Sequence, residues 1–166
     1  MIEMSPWIAG HTGSDYFVKL NGDEVWNGNM ITAAGYVGDT RGVYIIPINL
    51  FHCSTTGKLI RFWQGPQLKN YLEKEVNDGS VIIGITIDDV KGLLNTGDAN
   101  KILLQQFKVD VRDVEWRGGF AFVAQKRGEE AKMDKVATGS RKIKFNVDDT
   151  FNFTGIQSHV YELFVL

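Results

Sequence analysis

Three long apolar runs dominate the pattern of hydrophobic and polar positions along this chain. Val43 to Leu50 and Val81 to Ile87 are almost continuously apolar and rich in β-branched residues. Such runs are typical of strands that are buried on both faces of a sheet. The third run lies within Trp116 to Gln125, where an arginine and two glycines precede the apolar positions. These runs predict the buried strands of a β-rich fold.

Shorter segments predict further strands. Tyr16 to Leu20 and Glu24 to Trp26 are separated by Asn21-Gly22, a dipeptide that supplies the two positive-φ residues of a type I′ hairpin turn. Lys58 to Trp63 follows a turn and predicts a returning strand. Arg141 to Val147 alternates basic and apolar residues, which is typical of a half-exposed strand.

Two short helices are predicted between these strands. Pro66 favours the first turn of a helix, where its missing N–H costs nothing, and apolar residues recur at helical spacing up to Val76. Gly79 lies where a glycine commonly follows a helix. Asp98 is predicted to cap the second helix. The apolar positions of that helix are Ile102, Leu103 and Phe107.

The remaining segments suggest how one domain is organised. A chain of 166 residues is long enough for a single domain with its own core. Residues 1–14 lack clear periodicity and predict an N-terminal arm. Gly28 to Arg41 is rich in glycine and predicts a loop. Residues 151–166 end in apolar positions and predict a strand or a docking segment that packs on the domain or on a neighbour.

Composition and charge exclude several classes of function. A net charge of -2 does not indicate the basic surface that nucleic-acid binding requires. No apolar run is long enough to cross a bilayer, and the first residues do not resemble a signal peptide. Cys53 is the only cysteine, so an intrachain disulfide is impossible and a reducing compartment, or assembly inside a cell, is favoured.

Signatures of enzymes and metal sites are weak. His11, His52 and His159 are far apart and lack metal-ligand spacing. Cys53 follows His52, but adjacent residues on a strand point to opposite faces, so a buried, inert cysteine is favoured over a nucleophile. We therefore expect no enzymatic activity, no catalytic residues, no metal and no cofactor.

Arg41, Asp88 and Arg117 form the most informative polar set. Each lies at an end of a predicted apolar strand. If those ends converge, one carboxylate lies among two guanidiniums, and such a cluster can bind hydroxyl groups through bidentate, charge-assisted hydrogen bonds. A structural ion-pair network that braces the sheet is at least as consistent with the sequence.

Aromatic residues could complete a sugar site beside these charges. Trp26, Trp63 and Trp116 could each stack on a sugar ring, although core packing is favoured for each of them. Tyr36 or Trp116 is the candidate to cover an apolar sugar face next to the arginines.

A series of short motifs follows one order along residues 15–147. They are Arg41-Gly42-Val43, Thr56-Gly57, a helix closed by Gly79, Val81 to Asp88, a helix with Leu103-Leu104, Trp116-Arg117, Phe120 to Val123 and Lys126-Arg127-Gly128. This order resembles the interleukin-like EMT inducer and PANDER domain, also called the GG domain. The hairpin from Tyr16 to Trp26 is similar to the opening strands of that domain.

The resemblance implies that residues 15–150 form one domain with a β-rich α+β fold. The expected architecture is a compact sandwich of two antiparallel sheets flanked by two short helices, and no enzymatic chemistry is implied. The family includes secreted cytokine-like proteins, extracellular hyaluronan-related proteins, the stem domain of a protein O-mannose N-acetylglucosaminyltransferase and a hinge connector of phage long tail fibres. In the transferase stem, two arginines and an aspartate bind a glycan. Arg41, Asp88 and Arg117 occupy the matching motif positions, which implies carbohydrate binding.

Two departures from the family shape the expected function. The secreted cytokine-like members carry disulfide cysteines that this chain lacks, and the transferase stem has an acidic residue where this chain has Gly118. We expect a non-enzymatic carbohydrate-binding or assembly module in a phage tail, fibre or baseplate. Its location would be the virion, or the bacterial cytoplasm before assembly, and not classical secretion. Expected partners are a glycan and other chains of that assembly, with no nucleic acid and no membrane insertion. The alternatives are a purely structural connector without a ligand and a bacterial glycan-binding protein.

Overall fold

Two antiparallel sheets and a layer of short helices are stacked face to face in this protein. The computed structural model describes residues 2–5, 7, 12–33, 38–49, 52, 54–112, 114, 116–118, 120–126, 143–145 and 159–160. One sheet is covered on one side by the other sheet and on its opposite side by helices. The expected β-rich α+β fold with two antiparallel sheets is confirmed.

The outer sheet contains four described strands. They are β1 (Ile2–Ser5), β2 (Phe17–Leu20), β3 (Asp23–Asn27) and β9 (Ile143–Phe145), in the spatial order β3-β2-β1-β9. The predicted hairpin joins β2 to β3, and Asn21 and Gly22 both have positive φ, 52° and 86°. Ile2 and Met4 are fully buried, so part of the predicted N-terminal arm is a strand paired on both sides. Four residues are too few to reveal a periodicity in the sequence.

The central sheet contains six described strands. They are β4 (Gly42–Asn49), β5 (Ser54–Thr55), β6 (Ile60–Phe62), β7 (Val81–Ile87), β8 (Ala121–Gln125) and β10 (His159–Val160). Their order is β10-β8-β7-β4-β5, and β6 also pairs with β4. The strands predicted from the first two apolar runs are confirmed as β4 and β7. Val43 and Ile45 pack towards the helices, whereas Tyr44 and Ile46 pack towards the outer sheet, so both faces of β4 are buried.

The described helices are short, and most of them cover the central sheet. They are α1 (Gly28–Ala33), α2 (Gly65–Asn70), α3 (Lys91–Leu94) and α4 (Ala99–Phe107), and a π-helical turn (Tyr71–Glu75) continues α2. Pro66 lies in the first turn of α2, as predicted. Buried residues of α2, α3 and α4 pack with Val43 and Ile82 of the sheet in one apolar core. No helix in the described part of the chain combines the length and hydropathy that crossing a bilayer requires.

Hydrogen bonding at two helix starts differs from expectation, and one prediction was wrong as a result. α1 forms inside the segment that was predicted as a loop. Asn27 Oδ1 caps it by accepting the N–H groups of Asn29 and Met30 over 2.9 and 3.0 Å. Asp98 is the N-cap residue of α4, as predicted, but it has a left-handed backbone, and its carboxylate contacts Lys101 Nζ at 3.1 Å instead of accepting a backbone N–H of the first turn.

The third apolar run forms a shorter strand than predicted. β8 begins at Ala121, whereas Trp116 and Arg117 lie in a turn in which Arg117 has a φ of 55°. A left-handed residue interrupts an extended backbone, so the strand cannot begin at Trp116. β10 lies within the predicted C-terminal segment and pairs with β8. His11, Tyr36 and Cys53 lie outside the described residues.

Candidate functional site

Four neighbouring strands of the central sheet bring the predicted site residues to one side of the molecule. Trp63 follows β6, Arg41 precedes β4, Asp88 follows β7 and Arg117 lies before β8. Because β6, β4, β7 and β8 are antiparallel neighbours in that order, these residues form a line, which we call the strand-end row. Neighbouring strands are about 4.8 Å apart, so the row extends over about 14 Å.

Arg117 and Asp88 form an ion pair in the strand-end row. Arg117 Nε donates to Asp88 Oδ1 over 2.9 Å. The guanidinium also lies 5.0 Å from the ring centre of Trp7 and 5.5 Å from that of Trp116, so cation–π contacts support it from two rings. Both charged residues have a left-handed backbone, with φ of 55° and 56°. Two of the three predicted residues are therefore in direct contact.

Arg41 pairs with Asp39 rather than with Asp88. Arg41 Nε donates to Asp39 Oδ1 over 3.0 Å, Nη2 donates to Oδ2 over 2.7 Å, and the backbone N–H donates to Oδ1 over 3.0 Å. These hydrogen bonds lower the pKa of Asp39 to about 2 and raise the pKa of Arg41. The charges of Asp88 and Asp89 raise the pKa of Arg41 further through space. Arg41 thus interacts with Asp88 electrostatically, without a direct hydrogen bond.

Asp39 is a site residue that the sequence analysis missed. The available signal was the spacing Asp39-Thr40-Arg41, because an aspartate two residues before an arginine can bind both its backbone N–H and its guanidinium. The same arrangement recurs at Asp110 and Arg112. There the backbone N–H, Nε and Nη2 of the arginine donate to the carboxylate over 3.1, 2.8 and 2.6 Å.

A groove of about 230 Å³ opens beside Arg41. Its walls include Asp39, Arg41, Trp63, Asp89, Gly92 and Leu93. We call it the Trp63 groove, because the indole of Trp63 is its largest aromatic surface. Asp89 is held at the start of α3, where its Oδ1 accepts the N–H of Lys91 over 3.1 Å. The groove therefore combines a guanidinium, two carboxylates and an aromatic ring.

Two glycines allow the walls of the Trp63 groove to approach each other. A Cβ on Gly42 would collide with the carbonyl group at the end of β6, and a Cβ on Gly65 would collide with the carbonyl group of Thr96. Gly42 lines the groove, and Gly65, two residues after Trp63, brings the start of α2 close to the end of α3. Gly92 is different, because a Cβ there would meet no atom within 4 Å.

The three tryptophans that were considered for stacking have different environments. Trp26 is buried between the two sheets, with its ring centre 6.0 Å from that of Tyr44, as the core-packing interpretation expects. Trp63 and Trp116 are 55% and 69% exposed, which contradicts core packing for both. Arg61 lies 5.9 Å from the ring centre of Trp63. The strand-end row thus has an exposed indole near each end.

The described residues contain no group of three or more His, Cys, Asp and Glu side chains that could hold a metal ion. Asp39 has a clearly shifted carboxyl pKa, but the shift is downward. A general acid at neutral pH needs a raised pKa. The lowered pKa of Asp39 therefore favours a role in binding over a role in proton transfer. The lack of enzymatic activity stays a prediction.

Comparison with known proteins does not assign this chain to a family. No protein-family model matches the sequence, and no curated protein matches it. The resemblance to the GG domain therefore rests on the sequence motifs alone.

Proposed function

We propose that this protein is a non-enzymatic carbohydrate-binding module whose binding site is the strand-end row with the Trp63 groove. The observation that carries the proposal is an exposed indole beside a fixed guanidinium and carboxylates in one groove. Sugar rings combine apolar faces with hydroxyl edges. Aromatic surfaces next to planar charged groups complement both properties.

Arg41 supplies hydrogen-bond donors to the groove. A guanidinium carries five N–H groups, and here the Nε and Nη2 atoms bind Asp39. Its Nη1 atom has no partner within the described part of the chain, so its two N–H groups are available to sugar hydroxyls. Because Asp39 already orients the guanidinium, less side-chain entropy is lost when a ligand binds.

Asp89 and Trp63 supply an acceptor and an apolar surface. Asp89 Oδ1 accepts one backbone hydrogen bond, whereas Oδ2 has no partner among the residues described and can accept a hydroxyl. The exposed face of Trp63 can stack on the apolar face of a sugar ring, which removes both apolar surfaces from water. Together these groups match the two sides of a pyranose.

A glycan array tests the proposal with the wild type, Trp63→Ala, Arg41→Gln, Arg117→Ala and a control. We expect the wild type to retain a glycan. Each of the variants Trp63→Ala, Arg41→Gln and Arg117→Ala should lose about tenfold or more in affinity, which is about 1.4 kcal/mol. Met30→Ala is the control, because Met30 is an exposed apolar residue on α1 and should not affect binding. A wild type that retains no glycan, or Trp63→Ala, Arg41→Gln and Arg117→Ala variants that retain the glycan as well as the wild type does, would contradict the proposal.

The biological setting that we propose is a phage tail, fibre or baseplate, with other chains of that assembly as partners. A bacterial glycan-binding protein is the alternative. The resemblance to a hinge connector of tail fibres and the single cysteine, Cys53, support the first setting. Immunogold labelling of purified phage particles tests it. Gold on the tail is the expected result, and particles without label would contradict this setting.

A structural connector without a ligand is the second candidate function. It is favoured by Arg117, which joins Asp88 of the central sheet to Trp7, two residues beyond β1 of the outer sheet. In that case Arg117→Ala lowers the melting temperature although the wild type binds no glycan. An unchanged melting temperature would argue against the connector.

A further inference from the structure

We infer that the ligand is an extended, uncharged oligosaccharide that lies across the strand ends from Trp63 to Trp116. This inference rests on the proposed carbohydrate binding and adds the length and charge of the ligand. It follows from three observations: the positions of the two exposed indoles, the size of the Trp63 groove and the ion pairs along the strand-end row.

The two exposed indoles are too far apart for one sugar ring. Trp63 follows β6 and Trp116 precedes β8, and two strands, β4 and β7, lie between them. The ring centre of Trp116 lies 5.5 Å from the Arg117 guanidinium, which binds Asp88 at the end of β7. Two to three strand spacings from the end of β6 amount to about 10–14 Å, which is wider than a single pyranose ring. A ligand that contacts both indoles must therefore contain at least two or three rings.

The Trp63 groove accommodates one end of such a chain. Its volume of about 230 Å³ is smaller than the roughly 300–1,000 Å³ of pockets that enclose drug-sized ligands. One ring fits beside Trp63, and the next rings must continue outside the groove. Asp89 and Asp88 are adjacent in sequence and partly exposed, and Trp116 is exposed, so the ligand would continue past the two aspartates towards Trp116.

Ion pairs occupy most of the charged groups along this path within the described residues. Asp39 pairs with Arg41 and Arg61, Asp88 pairs with Arg117, and Asp89 adds a further carboxylate to the groove. Arg41 and Arg117 are already engaged by Asp39 and Asp88, so neither is an unpaired cation that would attract an acidic sugar. An uncharged chain can use their remaining N–H groups without disturbing either ion pair.

Calorimetry with oligosaccharides of one to six units tests the inference directly. The probes are uncharged chito-, cello- and malto-oligosaccharides, with oligogalacturonates as the acidic series. We expect affinity for the series that binds to rise by about tenfold or more from one to three units and then to level off. The acidic series should bind more weakly at every length.

Two tryptophan variants separate the ends of the path. Trp116→Ala should lower the affinity for the trisaccharide by about tenfold and leave that for the monosaccharide unchanged, whereas Trp63→Ala should weaken both. Gly92→Phe should also weaken both by filling the groove, and Gly92→Ala is its matched control, because a Cβ at this position meets no atom within 4 Å. Thermal unfolding of each variant shows that it is folded.

The outcomes distinguish this inference from the proposed function. Affinity that does not depend on length, a trisaccharide unaffected by Trp116→Ala, or preference for the acidic series overturns the extended, uncharged ligand while carbohydrate binding stands. Absence of binding to every probe and to the glycan array overturns both.

Discussion

At the scale of single residues, Asp39 determines how Arg41 is presented to the Trp63 groove. Its carboxylate binds the backbone N–H and the guanidinium of Arg41, which holds the side chain in one orientation. Because folding lowers the pKa of Asp39, the stabilisation from this pair is complete above the ordinary value of 3.8. It is lost as the pH falls through about 2. The groove should therefore keep its shape at neutral and mildly acidic pH.

The same pair gives a prediction that NMR can check. Arg41→Gln should raise the pKa of Asp39 from about 2 towards 3.8, because the substitution removes the guanidinium and its charge, while the backbone N–H at position 41 still donates to the carboxylate. The stability of the fold should change little, because both side chains are about half exposed and water screens their charges. Arg112→Gln is the control for an equivalent pair and should leave the Asp39 titration unchanged. An Asp39 pKa that Arg41→Gln does not move would contradict this account.

Gly65 and Gly92 offer a second test, because Gly92 lines the Trp63 groove, Gly65 lies two residues after Trp63, and the two glycines differ in the space around them. Gly65→Ala should lower the free energy of unfolding by about 1–3 kcal/mol, since the new Cβ would collide with the backbone of Thr96. Gly92→Ala should leave stability unchanged or raise it by up to about 1 kcal/mol, because it adds a methyl group in open space within α3. Urea unfolding measures both. Equal effects would show that packing at Gly65 does not hold α2 against α3.

At the scale of elements, Lys126 connects the end of β8 to the end of the π-helical turn. Its buried Nζ donates to the carbonyl groups of Glu73 and Val76 over 2.9 and 2.7 Å. Carbonyl groups at the end of a helix lack partners within the helix, and a cation near them is favourable. Lys126 belongs to the basic motif of the sequence, and its role in this structure is to cap a helix.

This capping predicts the effect of removing the ammonium group. Lys126→Met keeps most of the side-chain length but leaves two carbonyl groups without their donor, so the free energy of unfolding should fall by about 1–3 kcal/mol. Lys74→Met is the matched control, because Lys74 is exposed on the same π-helical turn and should change stability by less than about 0.5 kcal/mol. Chemical denaturation would contradict the capping role if both variants were equally stable.

Elements with strong local signals were predictable, and those that depend on distant pairing were not. β4 and β7 have long apolar runs, and the Asn21-Gly22 turn sets the hairpin by its backbone preferences. β1 has only four residues, and its place between β2 and β9 depends on partners far along the chain. The left-handed conformation of Arg117 likewise has no clear local signal, so β8 was predicted too long.

The candidate site was likewise predictable only in the part that depends on local signals in the sequence. Asp88 and Arg117 were expected to meet because both flank apolar strands, and they form an ion pair. The Trp63 groove was not predictable, because it depends on the pairing of β4 with β6 and on the packing of α3 near Gly65. Tertiary contacts of this kind leave no periodic trace in the sequence.

At the scale of the whole molecule, the central sheet separates two apolar cores. One core lies under the helices and the other lies between the two sheets. Met4 of β1 is fully buried in the second core, where it packs with residues of both sheets. The outer sheet therefore stabilises the strands that carry the strand-end row.

This arrangement predicts that Met4→Ala is strongly destabilising. Removing its side chain leaves a cavity between the sheets, and the free energy of unfolding should fall by about 2–5 kcal/mol. Lys58→Ala, at an exposed position, should change it by less than about 0.5 kcal/mol. Urea unfolding measures the difference. A loss below about 1 kcal/mol for Met4→Ala would indicate that residues 2–5 are not an integral part of the domain.

Burial of the central sheet on both faces also affects how such a protein can change during evolution. Most substitutions on the faces of β4 or β7 disturb one of the two cores, whereas the strand ends lie beyond the paired positions. The four residues of the strand-end row flank four different strands and lie outside their paired positions. Trp63 and Arg41 can each be exchanged without altering the pairing beneath them, whereas Arg117 and Asp88 form one ion pair and change together. A lineage can therefore acquire a new ligand preference through successive single substitutions while its framework is inherited unchanged.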